Sequence, residues 1–202
     1  MLMADFEDVK VKEPVMSVDD KRALKTMRDT VHMNEGKFCV GIPWRVNPEE
    51  ALQNNRSMAE SRLRMLKRKF ENNPKLAKDY TSTVEAYIAD KQAMLVEDED
   101  LHEKYQWFLP HHAVFKKSNP EKCRVVFDCA AQFKGVSLND VILQGPNFLN
   151  NLAGVLIRFR KEPVAVIGDI KLMFHQCFVV EQDRRFLRFL WWPVGDTSKK
   201  HW

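Results

Sequence analysis
The chain has 202 residues, 45% of them apolar and 30% charged. That is enough for one full domain or two small ones with a buried core, and too apolar for a wholly disordered chain. Nine prolines and seven glycines exclude collagen-like and low-complexity classes. Thirty-two Lys and Arg against 28 Asp and Glu leave a net charge of +4, which permits an anionic partner without requiring one.

Cys39, Cys123, Cys129 and Cys177 are scattered rather than dense. They read as reduced thiols of an intracellular protein, cytoplasmic or nuclear. Asp5, Glu7 and Asp8 stand where a signal peptide needs positive charge and then an apolar run. No uncharged apolar run reaches the ~18 residues of a membrane span. Neither a secreted nor a membrane-spanning protein is expected.

Residues 1–16 mix charges without a period and read as a loose tail. Ser17-Val-Asp-Asp20 is a helix start, with Leu24, Met27 and Val31 at helical spacing and Gly36 as the stop. Phe38, Val40, Ile42 and Trp44 alternate as in a strand, and Pro43 within the run points to an edge strand or extended segment. Ser57-Met-Ala-Glu60 is a capping-box pattern that opens a helix with Ala59, Leu63, Leu66 and Phe70 as its apolar stripe. Its opposite face carries Arg62, Arg64, Lys67, Arg68 and Lys69. Pro74 starts the next helix, whose stripe is Leu76, Tyr80, Val84, Tyr87 and Ile88. Glu97-Asp-Glu-Asp100 reads as an exposed acidic hinge.

Beyond Tyr105 the pattern changes. His112–Lys117 and Cys123–Asp128 are strand-like runs flanking a turn at Ser118-Asn119-Pro120-Glu121. Pro146 is expected to open a helix through Phe159. Val164-Ala-Val-Ile167 has the continuous apolar character of a buried central strand, and Phe186–Trp191 is a further strand candidate. Helices followed by mixed strands and helices favour the α+β class.

Asp169 follows the apolar run directly, with Gly168 between. A carboxylate at the end of a buried strand is costly unless it is paired or faces a cleft, and a hard divalent cation would satisfy it. A helix-cap or turn aspartate has the same local sequence. Phe174, five residues on, would lie a little over one helical turn away, beside anything bound there; a core aromatic is the other reading.

In the hairpin, a turn at Asn119–Lys122 sets Lys117 opposite Arg124, and a loop one residue longer sets Lys116 there instead. Opposed like charges destabilise a hairpin, and a triphosphate lying across them would remove that penalty. Solvated charges on an edge hairpin remain the alternative. The 62–69 face suits a nucleic-acid backbone or plain solvent. Asp19-Asp20 is a first-turn pair at a helix start. His111, His112, Cys123 and Cys129 match no common zinc spacing. No Gly-rich phosphate loop or Gly-x-Ser-x-Gly elbow is present.

Several segments together resemble one family. These are Trp107-Phe-Leu-Pro-His-His-Ala-Val-Phe115, Cys123-Arg-Val-Val-Phe-Asp128, Gly135-Val-Ser-Leu-Asn-Asp140 and Gly145-Pro146. They are similar to the start of the reverse transcriptase region of BEL/Pao-type retrotransposon polyproteins. Gly168-Asp-Ile-Lys-Leu-Met-Phe-His-Gln176 resembles that family's first catalytic motif, and Glu181-Gln-Asp-Arg184 and Phe189-Leu-Trp-Trp192 continue the likeness. Upstream, Gly41-Ile-Pro-Trp44 and Asn54-Asn-Arg-Ser-Met-Ala-Glu60 are similar to the segment joining protease to polymerase.

The resemblance implies a partial fingers-and-palm fold over residues 104–202, preceded by a helical connector at 17–103. It makes Asp169 a metal-binding aspartate of the palm and the Ile170 carbonyl a second ligand, with Mg²⁺ or Mn²⁺ as the cofactor. Phe174 becomes the aromatic gate under the deoxyribose. Arg124, with Lys116 or Lys117, becomes the grip on the incoming triphosphate. The implied partners are an RNA or DNA primer-template and deoxynucleoside triphosphates, with no membrane.

One departure stands out. Two-metal phosphoryl transfer needs several carboxylates, because one cannot hold two ions ~4 Å apart. The family's later pair of adjacent aspartates has no counterpart after Asp169, where Asp183 and Asp196 are isolated. The chain therefore reads as a reverse transcriptase fragment without polymerase activity of its own. A non-catalytic nucleic-acid-binding remnant using residues 57–93 and the hairpin is the runner-up. A decayed reading frame, with Val164–Ile167 left uncovered, is a third.

Overall fold
The computed structural model describes residues 16–96, 103–170 and 173–192. The acidic run at 97–100 and all but Met16 of the N-terminal tail lie outside the described residues. The architecture is mixed α+β with two small sheets. No helix among the described residues is long and apolar enough to cross a membrane.

Helix α1 (Val18–Thr30) begins where the sequence places it. Ser17 Oγ accepts from the Asp20 N–H and the Asp20 carboxylate accepts from the Ser17 N–H, both at 3.1 Å. Its buried residue is Ala23, while Met27 and Val31 are exposed. Gly36 does not cap this helix. Glu35 (φ 49°) and Gly36 (φ 75°) form a tight turn between β1 (His32–Asn34) and β2 (Lys37–Val40). Two successive positive φ values are what the right-handed twist of a hairpin selects. β2 is the middle strand of the first sheet, antiparallel to β1 and parallel to β5 (Cys177–Val179). The edge-strand expectation fails because the ladder ends at Val40, three residues before Pro43.

A short helix α2 (Pro48–Ala51) leads to α3 (Arg56–Asn72), which buries Ala59, Leu63, Leu66 and Phe70 as expected. Its start differs from the expected capping box at Ser57. Glu60 pairs with Arg56 at 3.0 Å, and Asn54 Oδ1 accepts the Arg56 N–H at 3.0 Å. α4 (Pro74–Ala89) has Pro74 in its first turn, and Asn73 Oδ1 accepts the Leu76 N–H. Tyr80 and Val84 are buried; Ile88 is exposed.

These two helices pack on a hairpin of β3 (His111–Lys116) and β4 (Asn119–Phe127). Leu190, Trp191 and Trp192 complete that core, with the Trp191 ring stacked on Tyr80 at 5.7 Å. A second core joins Leu52, Trp107, Leu109 and Phe186 to Leu138 and Val141 of α5 (Leu138–Val141). Residues from both sides of position 104 share each core.

The 186–191 stretch is not a strand. After α7 (Glu181–Arg184) it turns and makes a single bridge between Arg188 and Phe108. Its bulky residues serve two cores, Phe186 one and Leu190–Trp192 the other, which a flat strand cannot do. Polar groups fix this crossing. Asn55 is wholly buried; its Nδ2 donates to the Phe108 carbonyl at 2.8 Å and its Oδ1 accepts the Phe108 N–H at 2.7 Å. His111 Nε2 donates to the Leu190 carbonyl at 2.9 Å. Burial holds its pKa below the ordinary 6.5, which favours the neutral ring, and in that form Nδ1 accepts from Tyr80 Oη at 2.6 Å. Burial likewise raises the Tyr80 phenol.

Two further expectations are corrected between these cores. Pro146 does not open a helix; α6 (Leu152–Phe159) starts after Asn151, whose Oδ1 accepts the Gly154 N–H at 3.2 Å. Val164–Ile167 is neither a strand nor buried: Val164, Val166 and Ile167 are 77%, 86% and 84% exposed. A strand needs a paired neighbour and a covered face, and no described element supplies either.

The neutral His111 sets a pH dependence. Its folded pKa lies below its unfolded one, so the unfolded state protonates first as pH falls. Its contribution is fully present above pH ~6.5 and is lost as pH drops toward the lowered folded value. In urea titrations, the stability slope between about pH 5 and 6.5 is expected to be shallower in His111→Phe than in the wild type. At pH 7.5, Tyr80→Phe is expected to cost about 1–3 kcal/mol, because Nδ1 loses its donor.

Candidate functional site
The hairpin register differs from both expected alternatives. Lys117-Ser118 form the turn, Lys116 pairs with Asn119, and Arg124 stands opposite Val114. The opposed cations are absent. Pro120 has no N–H to give a ladder, and the register shift after Phe115 absorbs Pro120, Glu121 and Lys122 on the β4 side. Cys123 and Val125 point into the core, which leaves Arg124 and Val126 on the solvent face with Val114. Lys117 is exposed in the turn. An exposed ion pair of Lys75 with Glu121 links the hairpin to α4.

Asp169 and Ile170 are exposed and lie in the irregular segment after α6. Phe174, 85% exposed, sits in a 3₁₀ turn, Met173–Gln176, that leads into β5. Its neighbour His175 stacks on Tyr87 of α4, with ring centroids 5.1 Å apart. Tyr87 also feels the Arg124 guanidinium, which opposes the upward push of burial on its phenol. Burial lowers the His175 pKa, and the nearby Lys37 ammonium adds to this. Tyr87 thus contacts the turn carrying Phe174 through His175 and lies within electrostatic reach of Arg124. No hydrogen bond or ion pair among the described residues joins Asp169 to the hairpin.

The other acids do not gather round Asp169. Asp183 is buried and committed: its Oδ2 accepts the Ile42 N–H at 2.8 Å and its Oδ1 accepts Trp44 Nε1–H at 2.9 Å. Asp196 lies outside the described residues. Among the described residues no group of three His, Cys, Asp or Glu side chains is placed to hold a metal ion. One exposed carboxylate with one backbone carbonyl is too small a donor set for a two-metal centre. The residues present do not fit the Mg²⁺ pair that the resemblance implies.

The basic face of α3 is as expected, with Arg62, Arg64, Arg68 and Lys69 exposed and Lys67 half-buried. The ion pair described on this helix joins Arg56 to Glu60.

Comparisons with protein-family models, curated proteins and solved structures find no match.

Sequence reading missed Tyr87 as the meeting point, because a helical tyrosine in an apolar stripe looks like core. It also missed Asp183 as a clamp, because its partners lie 141 and 139 residues away in the chain. Asp183→Ala leaves two donors without an acceptor and is expected to lower stability by about 2–4 kcal/mol in urea unfolding at neutral pH. An unchanged midpoint would remove the clamp.

Proposed function
We propose that the chain is the fingers and first part of the palm of a reverse transcriptase of the BEL/Pao retrotransposon type. The family's activity is RNA-directed addition of deoxynucleotides to a primer 3′-hydroxyl. The order of motifs from Trp107 to Trp192 carries this reading. Tyr87 supports it: it stacks on His175, next to Phe174 in the chain, and feels the charge of Arg124, and a triphosphate grip and a sugar gate must lie close together.

In this assignment Asp169 contributes one carboxylate and Ile170 its carbonyl to a Mg²⁺ or Mn²⁺ site that needs further acids. Phe174 faces the deoxyribose. Arg124, with Lys116 or Lys117, binds the triphosphate. The partners are an RNA or DNA primer-template and deoxynucleoside triphosphates.

The 202 residues lack the further carboxylates and are expected not to extend a primer in Mg²⁺ or Mn²⁺. Radiolabelled primer extension checks this. Incorporation that disappears in Asp169→Asn would overturn the inactive assignment and restore a complete catalytic site.

The unpaired cations of α3 favour a second reading, a non-catalytic nucleic-acid-binding protein. Phosphate contacts release counterions, so primer-template affinity should fall with salt. In fluorescence anisotropy, Arg64→Ala and Arg68→Ala are each expected to reduce the log–log salt slope by about 1. Binding that is absent, or indifferent to salt, would count against it.

A further inference from the structure
The segment after α6 is irregular but rich in strand-forming residues. Among the described residues, 162–170 neither donate nor accept a backbone hydrogen bond. Val164, Val166 and Ile167 are left in solvent, and Leu156 and Phe159 of α6 are exposed as well. Unpaired backbone with an apolar face is a template for another strand.

The sequence of the segment states what fits it. Lys161 lies at one end, Asp169 at the other, and the apolar residues lie between. Laid antiparallel on a second copy of itself about Ala165, Lys161 of each chain falls opposite Asp169 of the other. Val164 then falls opposite Val166, and Pro163 opposite Ile167. A parallel arrangement would set like charges together.

Proline is accommodated as well. If the central Ala165 pair is of the non-hydrogen-bonded kind, so is the Pro163–Ile167 pair, and the ladder bonds fall on Val164 and Val166. Pro163, which has no N–H, is then never asked for one. Among the described residues, the Lys161 ammonium pairs with the exposed carboxylate of Glu162, at 3.6 Å. A strand turns those two consecutive side chains to opposite faces and frees Lys161 for Asp169.

We infer that residues 161–169 pair antiparallel with the same residues of a second copy, forming a homodimer closed by two Lys161–Asp169 ion pairs. A bare two-stranded ribbon is marginal in water, so the exposed apolar residues of α6 cover one of its faces. This inference uses the backbone left unpaired among the described residues and the charge pattern; it does not rest on the polymerase reading, and in the dimer the Asp169 carboxylate is held by Lys161 rather than by a metal ion.

Sedimentation velocity over a concentration series of the full chain tests it. The wild type is expected to show a concentration-dependent dimer. Val166→Pro removes a ladder donor and should leave only monomer. Its site is solvent-exposed, so an unchanged urea midpoint and circular dichroism spectrum would show that the fold is intact. Lys161→Glu and Asp169→Lys should each lose the dimer alone and regain it when mixed, because both cross-pairs are then of opposite sign. A monomeric wild type would assign the surface to a different occupant and overturn the inference. So would a dimer that survives Val166→Pro, or single-charge variants that fail to combine.

Discussion
The neutral ring of His111 is the constraint on which the larger core depends. It joins three parts of the chain that are far apart in sequence: α4 through Tyr80, the start of β3 through its own backbone, and the 190–192 stretch through the Leu190 carbonyl. Around it, Trp191 stacks on Tyr80 and Phe127 and Phe189 turn their edges to the imidazole. A buried group with two polar atoms needs two partners, and here each atom finds one. With the ring satisfied, helix pair, hairpin and C-terminal aromatic stretch pack as one body. The Asn55–Phe108 clamp does comparable work at the border with the second core.

Function hangs on a contrast between this closed interior and the open segment beyond it. Asp169 lies on the open side, and no group of three His, Cys, Asp or Glu side chains among the described residues is placed to hold a metal ion. The expected triphosphate cation lies on the closed side, on a hairpin held by α4. Tyr87 stacks on His175, in the turn before β5, and feels the charge of Arg124 on the hairpin. Among the described residues, Arg124 lies on a hairpin packed against α4, whereas Asp169 lies in an exposed irregular segment.

Much of the local structure was legible. The Ser17 cap, the stripe of α3, Pro74 in the first turn of α4 and the existence of the hairpin all follow from neighbours three or four residues apart. What failed was set at long range. The Val164–Ile167 run has strand chemistry, but strand formation needs a partner and none is described. Phe186–Trp191 also has strand chemistry, but its side chains divide between two cores. The hairpin turn was misplaced because Pro120 suits the second position of a tight turn, while the chain turns earlier at Lys117-Ser118 and absorbs the surplus as a bulge. For the site, motif order singles out Asp169, Phe174 and Arg124, but neighbour spacing does not place them relative to one another; the stacking of His175 on Tyr87 is a long-range contact that such spacing cannot give.

The parallel pairing of β2 with β5 has a consequence for biosynthesis. Phe38 meets Cys177, and Ile42 waits for the carboxylate of Asp183, 141 residues later. During vectorial synthesis the second edge of β2 stays bare until residues 177–179 have been made. Closure over so long a loop is slow, and an uncovered edge in the meantime invites wrong partners. β2 is thus open to misassociation throughout the synthesis of the intervening helices and hairpin, and β5 with α7 ends that exposure.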